Sequence, residues 1–99
     1  LEIFNYITPD NNNQNEALVI LNIEAFPVNN LQIFNRQGKV VFKASGYGQD
    51  NIVFTGKSNI SGENAKLPTG TYFYVLEYVN PITTKSELKK GFLYINNND

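Results

Sequence analysis

Oxygen-bearing side chains alternate between residues 10 and 16, and this segment is the first candidate for chemistry. The carboxylates of Asp10 and Glu16 and the amides of Asn12 and Gln14 occupy every second position. This spacing resembles a loop that wraps a hard cation such as Ca²⁺. The segment has no glycine for the sharp turn of such a loop, and half of its donors are uncharged. We therefore expect a solvated asparagine-rich turn and no cofactor, with calcium binding as the weaker alternative.

Tyrosines offer a second kind of site, an aromatic platform on which sugars stack. The candidates are Tyr47, Tyr72, Tyr74 and Tyr78. Tyrosine in a β-sheet protein more often packs in the core with its hydroxyl group at the rim, and the chain has no tryptophan. The core interpretation is favoured, and an adhesive or carbohydrate-binding β-sandwich module is kept as the alternative function.

Histidine and cysteine are both absent from the 99 residues, which removes the commonest general base, the thiol nucleophile and the usual transition-metal ligands. The remaining reactive side chains form no recognisable catalytic pattern, so we expect no enzyme. The formal charge of -1 leaves no electrostatic footprint for nucleic acid. No apolar run approaches the roughly 20 residues that cross a bilayer, so we expect no membrane insertion.

Short strands must position any site, because runs rich in Val, Ile, Phe and Tyr alternate with Asn, Gly, Pro and Asp. We predict strands at residues 2–7, 17–23, 31–35, 39–44, 51–55, 71–79 and 87–95. This spacing predicts an all-β fold, an immunoglobulin-like antiparallel β-sandwich of about seven strands. Residues 1–99 are expected to form one domain. The chain begins without Met or a signal-peptide pattern, so we expect it to be cut from a longer protein.

The segment IFNRQGKVVF, residues 33–42, predicts a β-hairpin. Residues 36–38 separate two β-rich runs, and Gly38 can adopt the left-handed conformation that a three-residue loop with a bulge requires. Pro68 and Gly70 predict a second turn, directly before the longest strand.

The strand predicted at residues 71–79 is apolar on both faces. Tyr72 and Tyr74 share one face, while Phe73 and Val75 share the other. Such a strand is either central and covered on both sides, or it exposes one face to a partner. We favour the covered central strand and keep the exposed patch as the alternative.

The order of the segments resembles the gliding-motility-associated C-terminal domain, the type B sorting domain of the type IX secretion system. The resembling segments are Ile7-Thr8-Pro9 with the asparagine-rich stretch after it, IFNRQGKVVF, LPTGTYFYVL at residues 67–76 and KGFLYI at residues 90–95. The structural positions of the motif are Pro9, Pro68, Gly70 and Tyr72. Phe54 stands where the family usually has tryptophan, and we expect it to pack in the core.

The resemblance implies a non-catalytic C-terminal secretion signal that is fused to a large N-terminal cargo. Such a domain passes through the periplasm and is recognised by the type IX translocon and by an outer-membrane shuttle or PorP-type protein. Its cargo then crosses the outer membrane to the cell surface or the medium.

A folded signal must present a rigid surface, and hairpin loops on a β-sandwich are held rigidly. We therefore expect the hairpin loop, one face of the longest strand and the last strand to be recognised. The candidate residues are Asn35, Arg36, Gly38, Phe73, Val75, Lys90 and Gly91. As alternatives, Asn35 and Arg36 could brace the turn through the backbone, and the lysines of the last strand could simply discourage aggregation.

Overall fold

The structure is a computed structural model that describes residues 1–9, 16–62 and 65–97. Within these ranges, seven strands run in the order β1 Glu2–Phe4, β2 Tyr6–Ile7, β3 Val19–Leu21, β4 Asn29–Phe34, β5 Val40–Ser45, β6 Gly70–Val79 and β7 Ser86–Ile95. A small sheet pairs β1 with β3, and a large sheet has the order β2-β7-β6-β4-β5. The predicted all-β sandwich is confirmed. None of the helices in the described ranges is long and apolar enough to span a bilayer.

The first predicted strand is divided between the two sheets. Asn5 lies between β1 and β2, so β1 pairs with β3 while β2 pairs with β7. The β2–β7 pair is parallel, unlike the other strand pairs of the described residues, which are antiparallel. A bend at one residue allows a strand to change sheets, and the N-terminal segment thereby joins both layers of the sandwich.

The prediction of a strand at residues 51–55 is wrong, because these residues form no strand. Asp50, directly before it, has a φ of 51° and turns the chain. The Phe54 N–H group then donates to the Tyr47 hydroxyl group at 2.8 Å, and the Phe54 carbonyl accepts from the Leu18 N–H group at 2.9 Å. The backbone of Phe54 is therefore satisfied without a neighbouring strand. Phe54 is fully buried, which confirms its expected place in the core.

The central strand β6 is covered on one face only. It lies between β4 and β7, and its inner face buries Tyr72, Tyr74 and Leu76. Phe73, on the outer face, is 36% exposed, and Val75 is half-buried. The prediction of a strand covered on both sides is therefore wrong, because the core and the small sheet lie on the inner side. The exposed alternative is the one observed.

The tyrosines considered as a sugar platform belong to the core instead. Tyr47, Tyr72 and Tyr74 are buried, and Tyr78 is half-buried. The Tyr72 hydroxyl group donates to the Pro68 carbonyl at 2.7 Å, so this tyrosine locks the turn that precedes its own strand. The favoured core interpretation is confirmed, and these rings offer no flat surface to a sugar.

Candidate recognition surface

The loop between β4 and β5 has the predicted hairpin geometry. The Asn35 N–H group donates to the Lys39 carbonyl at 2.9 Å, which closes a three-residue loop over residues 36–38. Gly38 has a φ of 83°, and the β4–β5 register shifts between Ile33 and Phe34. A left-handed glycine and a bulge together define this class of hairpin. The loop is therefore a fixed feature of the surface.

Two roles were considered for Asn35 and Arg36, bracing the turn and binding a partner, and the two side chains differ in this respect. Asn35 Oδ1 accepts hydrogen bonds from the N–H groups of Gln37 at 3.0 Å and Lys39 at 2.9 Å. This side chain therefore braces the turn. The Arg36 side chain is exposed, and it has no hydrogen-bond or ion-pair partner in the part of the chain that the structure describes. Arg36 is thus available to a partner.

The hairpin loop faces the segment LPTGTY across a groove of about 230 Å³. Residues 35–37 line one side, and residues 67–72 line the other. Both walls are rigid, because Asn35 braces the first and the bond from Tyr72 to the Pro68 carbonyl braces the second. The fold therefore brings together two segments that lie far apart in the sequence.

Aromatic side chains cover the outer face of the large sheet next to this groove. We call this surface the aromatic face and define it as Tyr6, Phe34, Phe73, Phe92 and Tyr94. Phe73 lies directly opposite Phe92 on the neighbouring strand, with ring centroids 5.1 Å apart. The Tyr6 and Tyr94 rings are stacked, with centroids 5.9 Å apart. Phe92 is 61% exposed, so the aromatic face lies open to solvent.

Thr71 connects the groove to the aromatic face. Its side of β6 points outward, it lies opposite Tyr94, and it also lines the groove. Arg36 therefore lines a groove that borders the aromatic face at Thr71. Towards the other end of the sheet the outer face becomes polar. A groove of about 530 Å³ there is lined by polar side chains that include Asn30, Gln32, Lys43, Ser45 and Glu77.

The other predicted residues separate into two groups. Val75 lies opposite Lys90. These two residues and Phe73 lie on the outer face of the sheet. Gly91 lies opposite Tyr74 on the inner face, and a Cβ atom there would lie 2.9 Å from Tyr74 Oη. Gly91 thus leaves room for a core ring, and the structure does not bring it together with the exposed residues.

Four aromatic residues of the face were missing from the sequence-based candidates: Tyr6, Phe34, Phe92 and Tyr94. The available signal was the run of residues 92–95, which is apolar on both faces just as β6 is. Periodicity alone does not say which of two apolar faces is covered.

The motif positions Pro9 and Gly70 have structural places. Pro9 is half-buried, and its Cγ atom would lie 3.1 Å from a Cβ atom at Gly56. Gly70 begins β6 opposite Ile95. Pro9 therefore packs close to the Gly56 backbone, and Gly70 marks the start of the strand.

The predicted cation ligands Asp10, Asn12 and Gln14 lie outside the described residues, and Glu16 is half-buried. Among the described residues, no three acidic, histidine or cysteine side chains are grouped to hold a metal ion.

A family model described as CHU_C Type IX secretion signal domain matches residues 1–95. No curated protein and no solved structure gives a significant match. The matched range includes all the strands named above, the groove and the aromatic face.

Proposed function

Because the chain belongs to the family of type IX secretion signal domains, we propose that it directs a fused N-terminal cargo through the periplasm and across the outer membrane. The destination is the cell surface or the medium. A secretion signal acts by being bound, so the proposal requires no catalytic residue and no cofactor. The partner is the type IX machinery, and we propose an outer-membrane shuttle or PorP-type protein as the component that binds first.

The observation that supports this proposal is the aromatic face together with Arg36. A strand of a β-sandwich ordinarily places apolar residues on its inner face and polar residues on its outer face. Here the outer face instead carries a group of aromatic rings at the hairpin end of the sheet. Aromatic residues and arginine are enriched in protein–protein interfaces, where a few such side chains carry most of the binding free energy. The surface therefore has the composition of a protein-binding site.

Rigidity supports the same assignment. The interface residues project from paired strands and from a hairpin loop whose backbone donors are satisfied by Asn35. A partner would then lose little free energy in ordering these groups. A sorting signal of this kind is read as a folded surface, not as an extended peptide.

The function is tested by fusing residues 1–99 to a reporter that carries an ordinary signal peptide. The fusion is expressed in cells with and without the type IX machinery. We expect the reporter at the surface or in the medium only where the machinery is present. Equal release from both strains would refute the sorting function.

The surface is tested in the same assay with Phe92→Ser and Arg36→Ala. Ile82→Ser serves as the matched control for the phenylalanine, because Ile82 is 90% exposed but lies in the turn between β6 and β7. Lys39→Ala serves as the control for the arginine, since it removes one positive charge from the same hairpin. We expect roughly a ten-fold loss of export for the first two variants only. The melting temperature of Arg36→Ala should stay unchanged, and that of Phe92→Ser should fall only slightly, because the ring contact with Phe73 is lost. Normal export of Phe92→Ser would exclude the aromatic face while leaving the sorting function intact.

A further inference from the structure

The two edges of the large sheet differ in whether their backbone groups are satisfied. At the β5 edge, Asn59 Oδ1 accepts from the Lys43 N–H group at 3.0 Å, and Asn59 Nδ2 donates to the Lys43 carbonyl at 2.7 Å. The Asn59 N–H group also donates to the Val41 carbonyl at 3.2 Å. The Asn59 side chain thus imitates a neighbouring strand and closes this edge.

The β7 edge is open along most of its length. β2 pairs only with the last two residues of β7. Asn5 covers the adjoining positions, because its carbonyl accepts from the Tyr94 N–H group at 2.9 Å and its Nδ2 donates to the Phe92 carbonyl at 3.3 Å. Successive residues of a strand direct their backbone groups to alternate sides, so Leu88 and Lys90 point to the same side as Phe92 and Tyr94, away from β6. Their N–H and C=O groups have no partner among the described residues.

We propose that β7 accepts an extended strand from the partner protein, which adds to the sheet beside Leu88 and Lys90 in line with β2. This inference rests on the proposed function, because the partner is the component of the secretion machinery that recognises the domain. Strand addition supplies binding through main-chain hydrogen bonds, and the side chains beside the new strand supply specificity.

The exposed side chains of β7 define the chemistry of the added strand. Leu88, Lys90 and Phe92 are at alternate positions of β7, so their side chains all lie on the outer face, and Leu88 is 59% exposed. Side chains on neighbouring strands contact one another when they lie directly opposite. We therefore expect the partner strand to carry an acidic residue beside Lys90 and an apolar residue beside Leu88.

Charge argues for such a partner and against a second copy of this chain. Lys85, in the preceding turn, comes only four residues before the pair Lys89 and Lys90. The acidic residue of β7, Glu87, already accepts a hydrogen bond from Asn80 Nδ2 at 3.2 Å. Edge-to-edge pairing of two copies would place the lysines of both on adjacent strands, where like charges repel. An acidic strand is attracted by the same lysines.

Leu88→Pro tests strand addition directly. Proline removes the N–H group that points to the open edge and leaves the β6–β7 hydrogen bonds in place, which is the position where a strand tolerates proline. The matched control is Leu88→Val, which keeps the N–H group and an apolar side chain. In the reporter fusion we expect export of Leu88→Pro to fall at least roughly ten-fold and that of Leu88→Val to stay within about two-fold of the wild type. Equal export of the two variants would overturn the inference.

Lys90→Glu provides the second measurement and leaves the backbone unchanged, so it decides the matter if Leu88→Pro does not fold. We expect roughly a ten-fold loss of export, against no loss for Lys57→Glu, an exposed lysine away from β7. Normal export of Lys90→Glu would rule out the acidic strand. Failure of the wild-type fusion to be exported would refute the sorting function itself, an outcome distinct from normal export of the β7 variants.

Discussion

Removal of the Tyr47 hydroxyl group should destabilise the domain strongly. Tyr47 is 2% exposed; its Oη atom donates to the Leu18 carbonyl at 2.7 Å and accepts from the Phe54 N–H group at 2.8 Å. It therefore ties the loop after β5 to two other segments at a point without regular pairing. Tyr47→Phe deletes one oxygen, preserves the ring and leaves both backbone groups without this partner.

The magnitude follows from these two groups. Each of the two buried backbone groups that lose this hydrogen bond costs about 1–3 kcal/mol, so we expect the free energy of unfolding to fall by about 2–6 kcal/mol. The total free energy of unfolding of a small domain is about 5–15 kcal/mol, so the loss of this hydroxyl group would remove a large part of it. At roughly 4 °C or more per kcal/mol, the melting temperature should fall by at least about 8 °C.

Urea denaturation followed by circular dichroism measures this loss. The matched control is Tyr94→Phe, because Tyr94 is 41% exposed and its hydroxyl group has no hydrogen-bond partner within the described ranges. The control should change the free energy of unfolding by no more than about 0.5 kcal/mol. If both variants are equally stable, the Tyr47 hydroxyl group does not hold the loop in the way described.

The same hydroxyl group makes stability depend on alkaline pH. Burial raises the pKa of Tyr47 to about 12, although the hydrogen bond from the Phe54 backbone acts in the opposite direction. Below the unfolded pKa of about 10, Tyr47 is protonated in both the folded and the unfolded state, so its full contribution to stability is present. Above that pH the unfolded state loses the proton while the folded state keeps it, so stability falls as the pH rises to about 12. The advantage of the wild type over Tyr47→Phe should therefore shrink across this range by up to roughly 2.7 kcal/mol. A constant difference between pH 9 and pH 12 would contradict the assignment.

Three further predictions concern other parts of the chain. Asn59→Ala should lower the free energy of unfolding by about 1–2 kcal/mol and increase light scattering, because it opens the β5 edge; Gln37→Ala, at an exposed loop position, should do neither. Gly91→Ala should cost about 1 kcal/mol in urea denaturation, since its Cβ atom would displace the Tyr74 ring, and a stabilised variant would contradict this packing. A chelator should leave the melting temperature unchanged, because residues 10–16 lack the glycine and the charge of a calcium loop; a lowered value would establish a bound ion.

Local chemistry explains which parts of the fold the sequence predicts. The hairpin was predictable because Asn35 and Gly38 determine its loop within a few residues. The segment at residues 51–55 was not, because its hydrogen bonds go to the Tyr47 side chain and to the backbone of Leu18, which is far away in the chain. Its alternating apolar residues are typical of a strand, but only the tertiary structure determines whether a neighbouring strand is present.

The candidate site was predictable only in part for a related reason. Arg36 could be identified from its place in a turn. The aromatic face could not, because β6 and β7 are apolar on both sides and their periodicity does not distinguish the two. The exposed face is determined by the register of β6 with β7, which pairs Phe73 with Phe92, and by the placement of the small sheet on the opposite side. Both are long-range features.

The motif residues by which the chain resembles its family mostly hold the fold together. Besides the roles of Asn35 and Tyr72, the Leu67 carbonyl accepts a hydrogen bond from Asn97 Nδ2, and Thr69 Oγ1 accepts one from the Asn97 N–H group at 2.8 Å. These motif residues therefore act as a scaffold that holds the surface in place.

We therefore propose that recognition belongs to exposed residues that this scaffold displays, such as Arg36 and Phe92. Substitution of a scaffold residue, for example Tyr72→Phe, should reduce export together with the melting temperature. Substitution of Arg36 should reduce export while the melting temperature stays constant, and substitution on the aromatic face should reduce export far more than its small effect on the melting temperature explains. If export followed stability alone across both groups of variants, the machinery would require a folded domain but would not read its surface.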